Sequence, residues 1–160
     1  MVGRVDKLET RKAINHWKAK GLDLSRLLYR PDVPLGVATY CCDYQEHGLD
    51  KSLDNTSLIK MARPALENGT PVEISLPIFN YNRTVATTLS GKVAKKHGEE
   101  GLPEDTIRCY FTGSAGQSLA AFLARGITIE LEGDANDYVG KGRSGGNFVG
   151  YPPRAAPFVA

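Results

Sequence analysis

Apolar and polar residues alternate along three short stretches in the middle and second half of the chain. Val72, Ile74 and Leu76 are separated by polar residues, and similar runs span residues 107–111 and 127–131. A period of two places successive side chains on opposite faces of an extended chain. Each stretch is therefore predicted to be a half-buried β-strand.

The last two of these stretches are related by an internal repeat. Ile107 aligns with Ile127 and Gly113 aligns with Gly133, both with an offset of 20 residues. A repeat of this length is too short for a propeller blade but long enough for one turn of a solenoid. The pattern therefore predicts an all-β fold of the β-helix type, in which successive turns stack their apolar side chains.

Glycine, aspartate and asparagine mark the corners that this solenoid needs. Glycine permits a positive φ and a close approach of two backbones, and Asp and Asn side chains hydrogen-bond to the backbone of turns. We expect a structural role for Gly113, Gly116, Gly126, Gly133, Asp134, Asn136, Asp137, Gly140, Gly142, Gly145 and Gly146.

Two chemical alternatives concern the same residues. The glycine-rich stretch 133–146 can expose backbone N–H groups to an anion. However, Lys141 is followed by Gly142 and not by the Ser or Thr of a phosphate-binding loop. Asp134 and Asp137 are a candidate pair for acid–base chemistry or cation binding. The favoured interpretation is structural corner glycines for the stretch 133–146 and turn capping for the two aspartates, so no catalytic, cofactor-binding or metal-ligating residue is predicted.

The first 70 residues have helical patterning. One helix is expected over about residues 6–20, and a second, capped by Asp54 or Asn55, is expected to end near Asn68. Pro64 should kink or loosen the second helix because proline lacks an N–H and clashes with the preceding turn. The apolar stripe of the second helix contains Leu58, Ile59, Ala62, Ala65 and Leu66.

Two regions follow from these patterns. Residues 1–70 are predicted to be a linker and helical entry segment. Residues 71–160 are predicted to be the start of a glycine-rich β-helix domain. From Tyr151 onward the sequence contains no further strand or helix that would cover the last turn. Because a solenoid needs capped ends, the domain is expected to be truncated.

Composition and charge exclude several classes of partner. The net charge of +2 is too small to indicate nucleic-acid or anionic-membrane binding. No apolar run approaches the roughly 20 residues of a membrane-spanning helix. Cys41, Cys42 and Cys109 have neither the even number of a disulfide framework nor metal-ligand spacing. Without a signal-peptide pattern, the chain is expected in the cytoplasm.

Two stretches resemble a known family. Residues 113–118 and 131–142, and above all Asn136–Gly142, are similar to the C-terminal Gly-x-Gly-x-Gly domain of the glutamate synthase large (alpha) subunit. Residues 16–25 resemble the segment that leads into that domain. The resemblance covers nearly the whole chain and implies a right-handed β-helix.

The resemblance also implies a parent enzyme. Glutamate synthase makes glutamate from glutamine and 2-oxoglutarate, with an amidotransferase domain, an FMN domain and a 3Fe-4S cluster. None of that machinery matches positions here, so this segment is expected to be inactive alone, to bind no cofactor and to act as a scaffold. Its expected partners are the other domains of the same large subunit and the small subunit. Lys141 and Arg143 face either solvent or the flavin domain.

A second interpretation stays open at this point. Split glutamate synthases and formylmethanofuran dehydrogenase-like complexes contain separate polypeptides with this type of β-helix. The chain is then a stand-alone interaction subunit and not a piece of a larger subunit.

Overall fold

The computed structural model describes residues 15–21, 23, 26, 28–38, 40–153 and 155–157. They belong to two compact units, residues 1–46 and residues 47–160. The first unit contains helix α1, Trp17–Lys20, whose start is capped by the His16 side chain accepting a hydrogen bond from the Lys18 N–H. Most of the helix predicted over residues 6–20 lies outside the described residues.

The second unit begins with a broken helical stretch. A 3₁₀ turn, Leu49–Lys51, and a π-helical turn, Asp54–Leu58, precede α2 (Ile59–Met61) and α3 (Arg63–Asn68). The path is interrupted at Ala62, and Pro64 lies in the first turn of α3, where its missing N–H costs nothing. The structure thus interrupts the helical stretch two residues before Pro64, where the sequence predicted a kink or a local loosening.

A four-stranded parallel sheet forms the centre of this unit. Its strands are β1 (Val72–Ile78), β2 (Ile107–Ala115), β3 (Ile127–Ala135) and β4 (Asn147–Tyr151), and they lie side by side in chain order. Ile107 is paired with Ile127 and Gly113 with Gly133. The alignment read from the 20-residue repeat is therefore the observed register of β2 and β3.

The predicted all-β, right-handed β-helix is wrong for this chain. The structure combines the parallel sheet with helices in an α/β arrangement, and helix α4 (Thr87–His97) connects β1 to β2. Leu89 and Val93 of α4 are buried one helical turn apart. Gly91 and the β-branched residues around it have poor intrinsic helix propensity, which concealed the helix in the sequence.

Helix α4 is fixed by contacts with segments distant in sequence. The Thr87 hydroxyl donates to the Ala121 carbonyl at 2.9 Å, and the buried Ser90 hydroxyl accepts from the Ala124 N–H at 3.2 Å. These bonds attach the helix to the turn between β2 and β3. Tertiary packing therefore overrides the weak local propensity of α4.

The core lies between the sheet and the helices. Ile74, Cys109 and Ile129 occupy matching positions on successive strands, as do Leu76, Phe111 and Leu131. All of these except Leu76 are buried, together with Leu58, Leu89 and Val93 from the helices. Each large apolar side chain buried in this way stabilises the fold by about 1.5–3 kcal/mol before entropy is counted.

Candidate functional site

A polar cleft lies at the carboxyl edge of the sheet. Strands β1, β2 and β3 end at Ile78, Ala115 and Ala135, and because the strands are parallel these ends meet at one edge. This edge is where open parallel sheets commonly bind ligands. The cleft has a volume of about 340 Å³ and is lined by Asn80, Arg83, Gln117, Asn136 and Asp137.

The loop after β1 forms one wall of the cleft. The Asn82 side chain accepts a hydrogen bond from the Phe79 N–H at 2.9 Å, and the Asn82 N–H donates to the Phe79 carbonyl at 2.8 Å. These two bonds close a tight turn. The rings of Phe79 and Tyr81 stack with centroids 5.4 Å apart and planes 9° apart. Both rings are nevertheless exposed, Phe79 at 49% and Tyr81 at 76%.

Arg83 is held against the turn that follows β2. Its guanidinium donates to the Gln117 side-chain oxygen at 2.6 Å. The Gln117 carbonyl in turn accepts from the Thr84 N–H at 2.9 Å. A side chain on Gly116 would lie 2.4 Å from the Asn80 carbonyl, so the loop and the turn approach closely only because residue 116 is glycine.

Asn136 and Asp137, after β3, complete the cleft. Their backbones are fixed, because the Asn136 N–H donates to the Ala115 carbonyl and the Asp137 carbonyl accepts from the Ser118 N–H. Within the described part of the chain, no hydrogen bond or ion pair is found for the side chains of Asn80, Asn136 or Asp137. All three residues are exposed.

The two aspartates of the sequence-based alternative have different surroundings. The Ser114 hydroxyl donates to the Asp134 carboxylate across the paired strands β2 and β3. Asp137 lines the cleft instead. Among the residues that the structure describes, no group of three His, Cys, Asp or Glu side chains could hold a metal ion.

The glycines named from sequence have close neighbours at several positions. A Cβ on Gly133, where φ is 152°, would lie 1.8 Å from the Gly113 carbonyl oxygen. A Cβ on Gly113 would lie 2.3 Å from the Ile78 carbonyl. A Cβ would also lie within 3.0 Å of a backbone oxygen at Gly116, Gly126 and Gly146. At Gly142 it would lie 2.7 Å from the Phe122 ring and at Gly145 it would lie 3.1 Å from the Arg125 Cβ, whereas Gly140 has open space around it.

Sequence reasoning missed a set of left-handed residues in the turn after β2. Ser118, Ala120 and Phe122 have φ values of 64°, 58° and 54°. The equivalent residues one repeat later are Tyr138, Gly140 and Gly142, with φ values of 64°, 65° and 64°. The two turns therefore share one backbone conformation, although glycine marks it mainly in the second. The 20-residue offset was the signal that could have revealed it.

Asp54 also has a role that the sequence did not predict. It is 2% exposed, and instead of capping its own helix it accepts hydrogen bonds from the Ala86 N–H at 2.8 Å and the Leu89 N–H at 3.0 Å. It thus caps the start of α4. Burial raises the pKa of Asp54, and hydrogen bonds from the backbone of Leu89, Ala86 and Thr88 act in the opposite direction.

Comparison with known proteins identifies the family. Residues 54–160 match the family model described as GXGXG motif. The chain belongs to this family. It is 53% identical over 160 residues to a glutamate synthase [NADH] of Schizosaccharomyces pombe and 49% identical over 150 residues to a glutamate synthase [NADPH] large chain of Bacillus subtilis. A ferredoxin-dependent glutamate synthase 2 of Arabidopsis thaliana is 39% identical over 159 residues.

These similarities cover nearly all of this chain but little of each relative. The match to the Schizosaccharomyces protein spans 99% of this chain but 7% of that protein. The match to the Bacillus protein spans 93% of this chain and 10% of that protein, and the match to the Arabidopsis protein spans 99% of this chain and 10% of that protein. The resemblance to glutamate synthases inferred from sequence is confirmed. No described helix is long and apolar enough to cross a membrane.

Proposed function

We propose that this chain is a structural, non-catalytic part of a glutamate synthase, an oxidoreductase that makes glutamate from glutamine and 2-oxoglutarate. Its role is to hold the amidotransferase and flavin domains of the large subunit together. The observation that carries the proposal is the in-register pair Gly113 and Gly133, where a Cβ on Gly133 would meet the Gly113 carbonyl at 1.8 Å. Such a contact serves the packing of one strand backbone against the next.

The partners follow from the same proposal. They are the other domains of the large subunit and the small subunit of the enzyme, in the cytoplasm. Relatives whose names specify NADH, NADPH or ferredoxin are similar to this chain over nearly its whole length, which supports a role that they share. A role common to all three is more easily a structural one than a contact with one electron donor. The glycine, aspartate and asparagine residues named from sequence between positions 113 and 146 are proposed to serve this structure.

The parent enzyme is expected to contain FMN and a 3Fe-4S cluster, and the cysteines of this chain do not fit the cluster. Iron–sulfur clusters are held by thiolates. Cys109 is buried, and burial raises the pKa of its thiol to about 12, so it is almost wholly protonated near neutral pH. Cys41 and Cys42 are exposed neighbours in sequence, which is not the spacing of a cluster-binding set. We therefore place the cluster elsewhere in the parent enzyme, and we propose that FMN also binds outside this segment.

The proposal is tested in a full-length glutamate synthase large chain that contains this segment. Gly133→Ala should lower the melting temperature and reduce glutaminase and synthase activities together, because it disturbs packing at the interface between strands. Asp137→Asn removes the carboxylate that lines the cleft while keeping its shape. It should leave kcat for both activities within about twofold of the parent value.

A matched control separates packing from chemistry. Gly91→Ala adds the same methyl group where nothing lies within 4 Å, so it should leave stability and both activities unaltered or slightly improved. A large fall in kcat caused by Asp137→Asn at an unchanged melting temperature would show chemistry in the cleft and refute the structural proposal.

A further inference from the structure

We propose that the carboxyl edge of the sheet docks an extended segment from another domain of the same large-subunit polypeptide. The docking face consists of Phe79, Asn80, Tyr81, Arg83 and Asn136. This inference rests on the structural function proposed above and assigns to it a particular surface.

The aromatic pair is the first observation that points to a macromolecular partner. Phe79 and Tyr81 stack on each other, yet 49% and 76% of their surface remains exposed. Tyr and Phe are enriched in the buried centres of protein interfaces, where a large ring gains most from losing contact with water. The turn closed by Asn82 fixes the pair before binding, so little conformational entropy is lost when a partner covers it.

The polar groups beside the rings match a peptide backbone. The primary amides of Asn80 and Asn136 each offer a donor and an acceptor. Each can therefore pair with the C=O and the N–H of a peptide backbone. No hydrogen bond or ion pair is found for either amide within the described part of the chain. A simple anion needs donors only, and the carboxylate of Asp137 in the cleft would repel it. An extended polypeptide segment therefore fits this lining better than a phosphate or a free carboxylate.

Arg83 gives the docking face its specificity. One of its terminal nitrogens is bonded to Gln117 at 2.6 Å, which orients the guanidinium while the other N–H groups stay available. The free N–H groups of a guanidinium also donate hydrogen bonds to carbonyl oxygens. The docked segment is therefore expected to present a backbone carbonyl to Arg83 and an apolar residue to the Phe79–Tyr81 pair.

The same polypeptide is the favoured source of the segment. The chain accounts for only 7–10% of the length of glutamate synthase relatives, so most residues available for docking belong to the rest of that chain. Covalent connection makes the docking intramolecular, with an effective concentration in about the millimolar range for a short flexible connection. A contact as small as this cleft can then be occupied almost completely.

Photo-crosslinking in the full-length large chain tests the proposal. The photoreactive residue p-benzoylphenylalanine replaces Tyr81, and in a control variant it replaces Met61, which is exposed on α2. After irradiation, mass spectrometry is expected to identify a crosslink from position 81 to a peptide of the same chain outside this segment, at several times the control yield. The added variant Arg83→Lys should keep the melting temperature and lower this yield by more than half.

The other outcomes overturn the inference. A mixture of light and heavy-isotope protein reveals intermolecular products, and a mixed-isotope crosslink at position 81 would mean that a second copy occupies the face. A crosslink to the small subunit, or a yield no higher than at Met61, would also refute intrachain docking. Because Gly133→Ala and Asp137→Asn test the structural function through stability and kcat, that function can stand when docking fails.

Discussion

At the scale of single residues, the backbone of this chain depends on where a Cβ can be accommodated. Gly133 has a φ of 152° and abuts the Gly113 carbonyl on the adjacent strand. Gly91 lies in helix α4, where a Cβ would have nothing within 4 Å, and its φ needs no glycine. The two residues are chemically identical, but only Gly133 is constrained by its surroundings.

This difference predicts opposite effects of one substitution. Gly133→Ala should destabilise the protein by about 2–4 kcal/mol, because the methyl group forces β2 and β3 apart. Gly91→Ala should stabilise it by up to about 1 kcal/mol through helix propensity and reduced freedom of the unfolded chain. Chemical denaturation of both variants provides the measurement. Equal effects of the two substitutions would contradict the strand contact.

Asp54 predicts a pH dependence with a defined sign. Burial raises its pKa in the folded state above the ordinary value of 3.8, so the folded protein binds a proton more tightly than the unfolded chain. Its contribution to stability is therefore fully present below that value and is lost as pH rises through the raised pKa. Compared with Asp54→Asn, the parent protein should be relatively more stable at about pH 3 than at about pH 7.

Denaturation of both proteins at each pH measures this effect. A relative stability that instead rises with pH would mean that the N–H groups of Ala86 and Leu89 outweigh burial and that the pKa of Asp54 is lowered. Asp54→Ala provides the control for the cap itself. It leaves these donors without their acceptor and should cost about 1–3 kcal/mol for each buried donor left unsatisfied.

Residue-scale features were only partly accessible from sequence. The glycines at positions 113 and 133 indicated a close contact between strands, since only glycine combines a positive φ with so short a distance between two backbones. The left-handed Ser118, Ala120 and Phe122 were missed because their side chains do not indicate a positive φ. Their hydrogen bonds to neighbouring turns, such as Ala120 N–H to Val85 carbonyl at 3.0 Å, impose the conformation from outside the local sequence.

At the scale of elements, helix α4 is the feature that changes the architecture. It was not predicted because Gly91 and two threonines weaken its local signal, and because its cap, Asp54, lies more than 30 residues upstream. The strands were predictable because alternating residues and a repeat of fixed length are local patterns. The helical break near Pro64 was predictable for the same reason.

The packing of α4 gives a prediction at this scale. Leu89→Ala should destabilise the protein by about 2–5 kcal/mol, because Leu89 is completely buried between the helix and the sheet core. Lys92→Ala, on the exposed side of the same helix, should change stability by less than about 0.5 kcal/mol. Thermal unfolding followed by circular dichroism measures both. A small effect of Leu89→Ala would indicate that α4 does not pack on the core.

At the scale of the whole molecule, sequence and structure agree on strand register but not on fold class. The repeat aligned β2 with β3, and both the order of the strands in the sheet and the paired residues follow that alignment. The all-β solenoid failed because the connection from β1 to β2 contains a helix, which no repeat reveals when it occurs once. The division predicted between residues 70 and 71 stays a prediction, and the boundary between the compact units falls between residues 46 and 47.

The burial of Cys109 allows the integrity of the sheet core to be followed by thiol chemistry. Cys41 and Cys42 are exposed, whereas Cys109 is 1% exposed and its thiol pKa is raised to about 12 by burial and by the negative charge of Asp54. Only the thiolate reacts with iodoacetamide. In the native protein Cys41 and Cys42 should therefore be alkylated rapidly, and Cys109 only in the small fraction of molecules whose core is open at a given moment.

Alkylation followed by mass spectrometry reads each cysteine separately. Adding denaturant below the unfolding midpoint should accelerate the reaction of Cys109 steeply while changing that of Cys41 and Cys42 little, because only Cys109 must wait for opening. Leu89→Ala should raise the logarithm of the Cys109 alkylation rate in proportion to the stability lost, since both residues belong to one core. Equal alkylation rates for all three cysteines in the native protein would show that Cys109 is not buried in the core, and the core described above would be refuted.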